Sequence, residues 1–357
     1  MNRRGFLVTS GSAALLTACA PSRPLSTGPA PLLPRVKVAE NRIIRTIAGL
    51  RPYRAAGFVV RAEPLGDKLL VHNYGHGGAG ITLSWGSSKL AADIGLAGHS
   101  EPVAVIGAGV MGLSTARLAQ ERGHKVTIYA EALPPETTSN IAGGQIHPAS
   151  HYRESAVDDA WRAQYAAAME FSWRRFQLLV GEDYGVRWHA TYEQRSGAPR
   201  WPLAPYYAGL EGLAPAANPF PVSPVQRYHT MYVETGRYLR ALTEDVLTAG
   251  GAFVIRRFSA PAELAALPER VVFNCTGLGA GALFGDTGME PMRGQLVVLL
   301  PQPEIDYAYS LDNGYMFPRP DGLLLGGTFE RGESAAVTTP EAIAKIMAGH
   351  RHLNRLS

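Results

Sequence analysis

Residues 103–131 read VAVIGAGVMGLSTARLAQERGHKVTIYAE, and the reading of this stretch decides the fold. Val103 to Ile106 is an apolar run of strand length, and Gly107, Gly109 and Gly112 follow at G-x-G-x-x-G spacing. A helix is predicted to about Arg122, Gly123 stops it, and Lys125 to Tyr129 is a second strand. Each glycine serves a mechanical purpose. Gly107 makes the tight turn, Gly109 lets the backbone approach a pyrophosphate, and Gly112 lets helix and strand pack closely. Phosphates would sit on the helix N-terminus, over Ala108, Val110 and Met111, where free N–H groups and the helix dipole favour negative charge. Glu131 ends the second strand about twenty residues beyond the last glycine, placed to accept from a ribose hydroxyl. This is a Rossmann-like βαβ unit, and by itself it leaves open which dinucleotide it takes.

The residues that follow narrow the choice. After Glu131 comes a hydroxyl cluster, Thr137-Thr138-Ser139-Asn140, then Gly143-Gly144-Gln145-Ile146-His147-Pro148. Thr137 to Asn140 alone would read as a polar surface loop. The whole run from Tyr129 to Pro148 resembles the D-amino acid oxidase family, in which such a cluster and glycine pair hold the pyrophosphate and the ring of FAD. Downstream stretches extend the resemblance. Residues 229–242, HTMYVETGRYLRAL, resemble the family's entry into a long helix, with Gly250-Gly251 as its cap and a strand from Ala252 to Arg256. The resemblance implies that Phe258 meets the cofactor through its backbone. Val271 to Gly277, VVFNCTG, matches a family hallmark and brings Thr276 and Gly277 to FAD, while Cys275 reads as a buried small residue. Arg293-Gly294-Gln295, Tyr315 to Pro318 and Leu325-Gly326-Gly327 match the family's substrate half.

In the family a carboxylate-gripping arginine and a glycine-rich flavin loop come after that point. Here their counterparts lie upstream: Gly49-Leu50-Arg51-Pro52-Tyr53-Arg54 and HNYGHGGAGIT at residues 72–82. The order implies a circular permutant, in which the ancestral last helix, about Ser88 to Gly95, runs through Ala97 to Pro102 into the first Rossmann strand. New ends would then open between Ser357 and about Lys37, which requires those regions to be neighbours.

The expected architecture is α/β: a Rossmann-like FAD-binding domain with a smaller mixed-sheet α+β substrate domain, circularly permuted. The expected divisions are residues 1–18 signal, 19–36 Pro-rich linker, and 37–150 FAD-binding domain (displaced elements 37–96, Rossmann unit 103–150). Residues 151–228 and 286–345 form the substrate domain, 229–285 return to the FAD-binding domain, and 346–357 are a terminal helix.

At the N-terminus, MNRRGFLVTSGSAALLTAC resembles a twin-arginine signal, Arg3-Arg4, fused to a lipobox ending at Cys19. Its apolar stretch is too short to span a bilayer. Cleavage before Cys19 would leave a diacylated first residue and a lipid-anchored, exported protein, periplasmic in location. That route exports folded proteins, which suits a chain that acquires its cofactor in the cytoplasm. A spacer rich in proline, Ala20 to Pro34, follows. Over 357 residues the formal net charge is +4, falling to +2 without residues 1–18, and no Lys/Arg block accompanies it, so nucleic-acid binding is not expected. Cys19 and Cys275 are too few and too far apart for a disulfide framework or a metal site.

The resemblance implies an FAD enzyme that transfers hydride from a D-amino acid Cα to flavin, giving the 2-oxo acid, ammonia and hydrogen peroxide. Arg51 would hold the carboxylate bidentately. Tyr315 would donate to it, and the Gly78 carbonyl would accept from the amine. Gly77, Gly78, Ala79, Gly80, Ile81 and Thr82 would line the flavin. Read locally, Arg51 is a surface arginine and Tyr315 a core aromatic. The family's second tyrosine is replaced by Leu311. His147, His151 and Arg153 would suit an acidic substrate, but read more simply as solvated loop residues. Two other readings stay open: a membrane-tethered D-amino acid or glycine dehydrogenase feeding quinone in place of oxygen, and a non-catalytic flavin or amino-acid binding lipoprotein. The sequence does not set the oligomeric state.

Overall fold

The computed structural model describes residues 24–354, apart from positions 196, 198, 200 and 313. The twin-arginine signal and Cys19 lie outside the described residues. The strands, in chain order, are β1 (Leu25–Ser26), β2 (Ile43–Arg54), β3 (Val59–Leu65), β4 (Lys68–Tyr74), β5 (Val103–Ile106), β6 (Val126–Ala130), β7 (Val186–Gln194) and β8 (Ala208–Leu213). They continue as β9 (Val225–Val233), β10 (Ala252–Ile255), β11 (Val271–Asn274), β12 (Met289–Leu299), β13 (Tyr307–Leu311), β14 (Gly314–Phe317), β15 (Leu323–Gly326) and β16 (Glu330–Arg331). The helices are α1 (Gly80–Gly95), α2 (Val110–Gln120), α3 (Thr138–Ile141), α4 (Asp159–Leu178), α5 (Thr235–Thr248), α6 (Pro261–Ala265), α7 (Gly279–Phe284) and α8 (Pro340–Asn354).

Among the described residues two sheets form. The six-stranded sheet runs β10-β6-β5-β11-β4-β3, parallel except for the β3/β4 hairpin. Its central strands, VAVI at 103–106 and VVFN at 271–274, are buried throughout, as strands covered on both faces must be. Helices α1 and α2 pack against each other over this sheet, α4 lies on α1, and α5 on α2. Gly112 has its mechanical reason here: a Cβ would run into the Gly107 carbonyl oxygen, a backbone atom with no freedom to yield.

The ten-stranded sheet is mixed and is the larger of the two. Its path is β1-β8-β9-β7-β13-β14-β15-β12-β16, with β2 also paired to β12. Helix α8 covers one face, where His350 hydrogen-bonds the Tyr309 hydroxyl at 2.7 Å.

Several expected boundaries change. Strand β2, carrying Arg51, belongs to the large sheet through antiparallel pairing with β12, not to the FAD-binding half, because residues 43–54 run as one strand along residues 289–299. Helix α4, assigned to the substrate half, buries Trp161, Tyr165, Met169 and Phe176 in the core shared with α1 and α2. Strand β9 straddles the expected division at 228/229. The proline-rich linker is not free along its whole length: Leu25–Ser26 adds a parallel strand to β8, and Val36 is buried with the α8 face. The last helix runs from Pro340, the start its sequence predicts, so the expected division at 345/346 falls inside it, and α1 begins at Gly80, ahead of the expected Ser88. Lys37 to Glu40 do lie against α8: Asn354 accepts from the Val36 N–H at 3.2 Å, and Arg351 pairs with Glu40 and donates to the Val38 carbonyl.

Candidate active site

A cavity of about 860 Å³ runs between the two sheets. At one end stands the N-terminus of α2, its first turn formed by Val110, Met111 and Gly112. Gly107, Ala108, Gly109, Val110 and Met111 line the cavity, and the Val110 N–H is held by Ser139 Oγ at 3.0 Å. Glu131 reaches the same end from β6, its exposed carboxylate 3.5 Å from Arg257. Thr137, Thr138 and Ser139 line the cavity, with the Thr137 hydroxyl donating to Asn140 Oδ1 at 2.8 Å. Gly143, Gly144, Gln145, Phe258, Thr276 and Gly277 also line it. Asn274 at the end of β11 orients the turn by accepting from the Thr276 N–H and hydroxyl, at 3.2 and 2.7 Å. Cys275 lies buried beside this turn, and burial pushes its thiol up to about 12, so it stays protonated.

Three of the expected cofactor residues do not face the cavity. Gly112 packs on Gly107 instead. Ala79 is fully buried. Thr82 is turned inward, donating to the Gln145 carbonyl at 3.2 Å and accepting from the His147 N–H at 3.1 Å. Ala79 and Thr82 belong to the segment whose Gly77, Gly78, Gly80 and Ile81 do line the cavity, and the Thr82 hydrogen bonds tie it to residues 145–147.

At the other end, three elements distant in sequence converge. Arg51 comes from β2, Tyr315 from β14, and Gly78 from the turn before α1, its Cα within reach of the Arg51 stem. The Arg51 guanidinium lies over the Phe329 ring at 4.8 Å, donates to the Thr328 carbonyl at 3.4 Å, and is close enough to the Tyr315 hydroxyl for its charge to act on it. Gly294 on β12 makes the room, since a Cβ there would strike that guanidinium. No carboxylate among the described residues pairs with Arg51. Burial raises the Tyr315 hydroxyl above its ordinary range, with Arg51 opposing the shift, so it is a proton donor throughout the physiological range.

The structure also brings in residues that the sequence did not single out. Ser310, Glu193, Arg195, Tyr228, Phe317 and Phe329 line the cavity as well, with His76 beside the glycine turn. The only local sign of Ser310 is its polarity between Tyr309 and Leu311, which both point to the core beneath. Leu311 therefore packs under the sheet, away from the cavity. His147 and His151 are not solvated loop residues: His147 lines the cavity with Tyr207 at 3.2 Å, and His151 is buried among Tyr152, Trp161 and Tyr165. Desolvation lowers the pKa of both imidazoles, His151 to about 3. Arg153 is exposed, as expected.

The family described as FAD dependent oxidoreductase (DAO) matches residues 30–94 and 102–353. The D-amino-acid oxidase of Streptomyces coelicolor is 34% identical over 254 residues, covering 69% of this chain and 75% of its own. The D-aspartate oxidase of Homo sapiens is 29% identical over 247 residues, covering 65% of this chain and 69% of its own. Among solved structures, the glycine oxidase of Bacillus cereus superposes with a TM-score of 0.52 at 17% identity, over 71% of this chain and 77% of that one.

Proposed function

The chain belongs to the DAO family of FAD-dependent oxidoreductases, and from that premise we propose that it oxidises D-amino acids to 2-oxo acids, ammonia and hydrogen peroxide. The observation that carries this reading is Arg51: a guanidinium facing a cavity beside the Tyr315 hydroxyl and lacking a carboxylate partner among the described residues. A partly buried cation in that state calls for an anion from the ligand, and the planar fork fits a carboxylate with two parallel hydrogen bonds. The kinship with a D-amino-acid oxidase and a D-aspartate oxidase supports the same substrate class.

The cavity fits FAD. Its length takes in the N-terminus of α2, the Glu131 carboxylate at the end of β6 and the glycine turn at residues 77–80. We assign the pyrophosphate to Gly107–Met111 with Thr137–Ser139, the ribose to Glu131, and the ring to Gly77, Gly78, Gly80, Ile81 and Gly143–Gln145. When bound, FAD supplies the hydride acceptor. The protein's part is positioning: Arg51 and Tyr315 fix the carboxylate, the Gly78 carbonyl accepts from the neutral amine, and the sheet walls exclude water. No general base is required.

We further propose that the chain is a circular permutant of the family. In support, the family match breaks at 95–101, where α1 passes into β5, and residues 36–40 lie against residues 351–354. Export and lipid anchoring at Cys19 are proposed from the Arg3-Arg4 and Leu16–Cys19 motifs alone. Oxygen is the proposed acceptor; the tether favours quinone as the second reading, and oxygen uptake against dye reduction separates them.

The decisive experiment is anaerobic addition of single D-amino acids to the flavin-loaded protein. Bleaching of the flavin absorbance is expected, and its absence with every D-amino acid and glycine would overturn the reading. Arg51→Ala should retain flavin while weakening substrate binding roughly a hundredfold.

A further inference from the structure

The row of residues that includes Tyr315 continues across the large sheet. Tyr315 on β14 stands opposite Ser310 on β13, Ser310 opposite Glu193 on β7, and Glu193 opposite Gln226 on β9. Directly paired residues share a face, so the row points one way, toward the cavity. Strands are ~4.8 Å apart, which puts the Glu193 backbone about 10 Å from that of Tyr315. Beyond the carboxylate clamp, this is where a substrate side chain would reach.

Glu193 is buried, and both its oxygens are engaged. Oε2 accepts from Gln226 Nε2 at 2.9 Å, and Oε1 lies 3.3 Å from Arg195 Nε. Arg195, two residues further along the chain, lines the cavity and is partly exposed to it. A guanidinium carries five N–H donors in a rigid fork, and the contact with Glu193 is made through Nε, so among the described residues the terminal nitrogens keep their donors unpaired. The pair is thus asymmetric toward a ligand: each carboxylate oxygen already faces a protein donor, while the terminal nitrogens of the guanidinium have no such partner among the described residues. A cationic side chain entering here would find the acid already paired and a positive charge beside it. An anionic one would find a fork whose back is braced by Glu193 and Gln226.

We infer that Arg195 is a specificity-determining residue, positioned by Glu193 and Gln226, which recognises D-amino acids bearing a side-chain carboxylate. The inference deepens the proposed function and rests on it.

The test compares kcat/KM of the flavin-loaded protein for D-aspartate, D-glutamate, D-alanine and D-lysine. An acidic substrate should lead D-alanine and D-lysine by at least about tenfold, and Arg195→Leu should lower the acidic-to-alanine ratio about a hundredfold. Because that change leaves Glu193 without its partner, the Arg195→Leu/Glu193→Gln double variant is measured beside it, and Arg195→Lys should restore part of the ratio. Titrating the flavin absorbance with succinate and with propionate reads binding without turnover: succinate should bind more tightly, and lose that advantage in both Leu variants. Preference for D-lysine, lost in Glu193→Gln, overturns the inference in favour of a cationic subsite. Preference for D-alanine with no response to Arg195→Leu overturns it while leaving D-amino acid oxidation standing. Bleaching by no D-amino acid overturns both.

Discussion

Arg293, Arg319 and Arg51 differ in their partners. Arg293 donates to Glu330 Oε2 at 2.6 Å and Arg319 to Asp321 Oδ1 at 2.8 Å, so each is neutralised within the protein and serves to hold the sheet. Arg51 has the Thr328 carbonyl and the Phe329 ring instead, and this difference in company is what suits it to the proposed binding role. Histidines make a second residue-scale point. His76 and His151 are buried with Nε2 unpartnered among the described residues, and desolvation holds both near 3. The unfolded chain protonates each imidazole below about pH 6.5, whereas the native state resists until about pH 3. Stability is therefore undiminished above about 6.5 and declines as the pH falls through that window. At pH 5 the loss is about 2 kcal/mol per imidazole. Urea midpoints measured from pH 7 to pH 5 should fall for the native sequence, and fall less steeply in His151→Leu, which keeps the apolar surroundings of that ring.

At the scale of elements, the unit β5-α2-β6 was legible because its strands are uniformly apolar and its glycines sit at a spacing that only one local geometry uses. Gly112→Ala tests it: the new methyl meets the Gly107 carbonyl, and separating helix from strand costs about 1–3 kcal/mol. The expected outcome is a lower urea midpoint together with flavin released on gel filtration; a variant that keeps both would deny the glycine its packing role. Helix α1 was legible only in its second half. Its first turns bury Thr82, Ser84, Ser87 and Ser88, which are satisfied by the Gln145, Ile81 and Leu83 carbonyls and by Asn73 and Thr115. Small polar residues of this kind let α2 and α4 approach closely, and they leave no apolar stripe for a helical period to reveal. Strand β2 was misassigned for a related reason. Its residues identify a strand, but whether it pairs with β12 or stays with the flavin sheet depends on register over eleven partners that lie more than two hundred residues away.

For the whole molecule, the order of the motifs and the meeting of the chain's two ends bear on the same question. Residues 36–40 touch 351–354, while Leu96 to Pro102 is only a short passage between α1 and β5. A chain reopened within 97–102, with residue 354 joined to residue 36 by a short flexible linker, closes a small gap at modest entropic cost. It should fold, bind flavin stoichiometrically and be reduced by the same D-amino acids, as read by absorbance; a reopened chain that cannot bind flavin would contradict the permuted origin. By itself the sequence determined the tight βα turn at Gly107–Gly112, because glycine spacing is local and carries its geometry with it, while Arg51, Gly78 and Tyr315 were singled out only by resemblance to the family and are found on one cavity. Only the tertiary structure decided that Thr82 and Ala79 turn inward, that His151 is buried and His147 half-buried, and that Glu193 and Arg195 face the cavity. Those outcomes follow from which strand pairs with which, since pairing alone sets the face on which a side chain emerges.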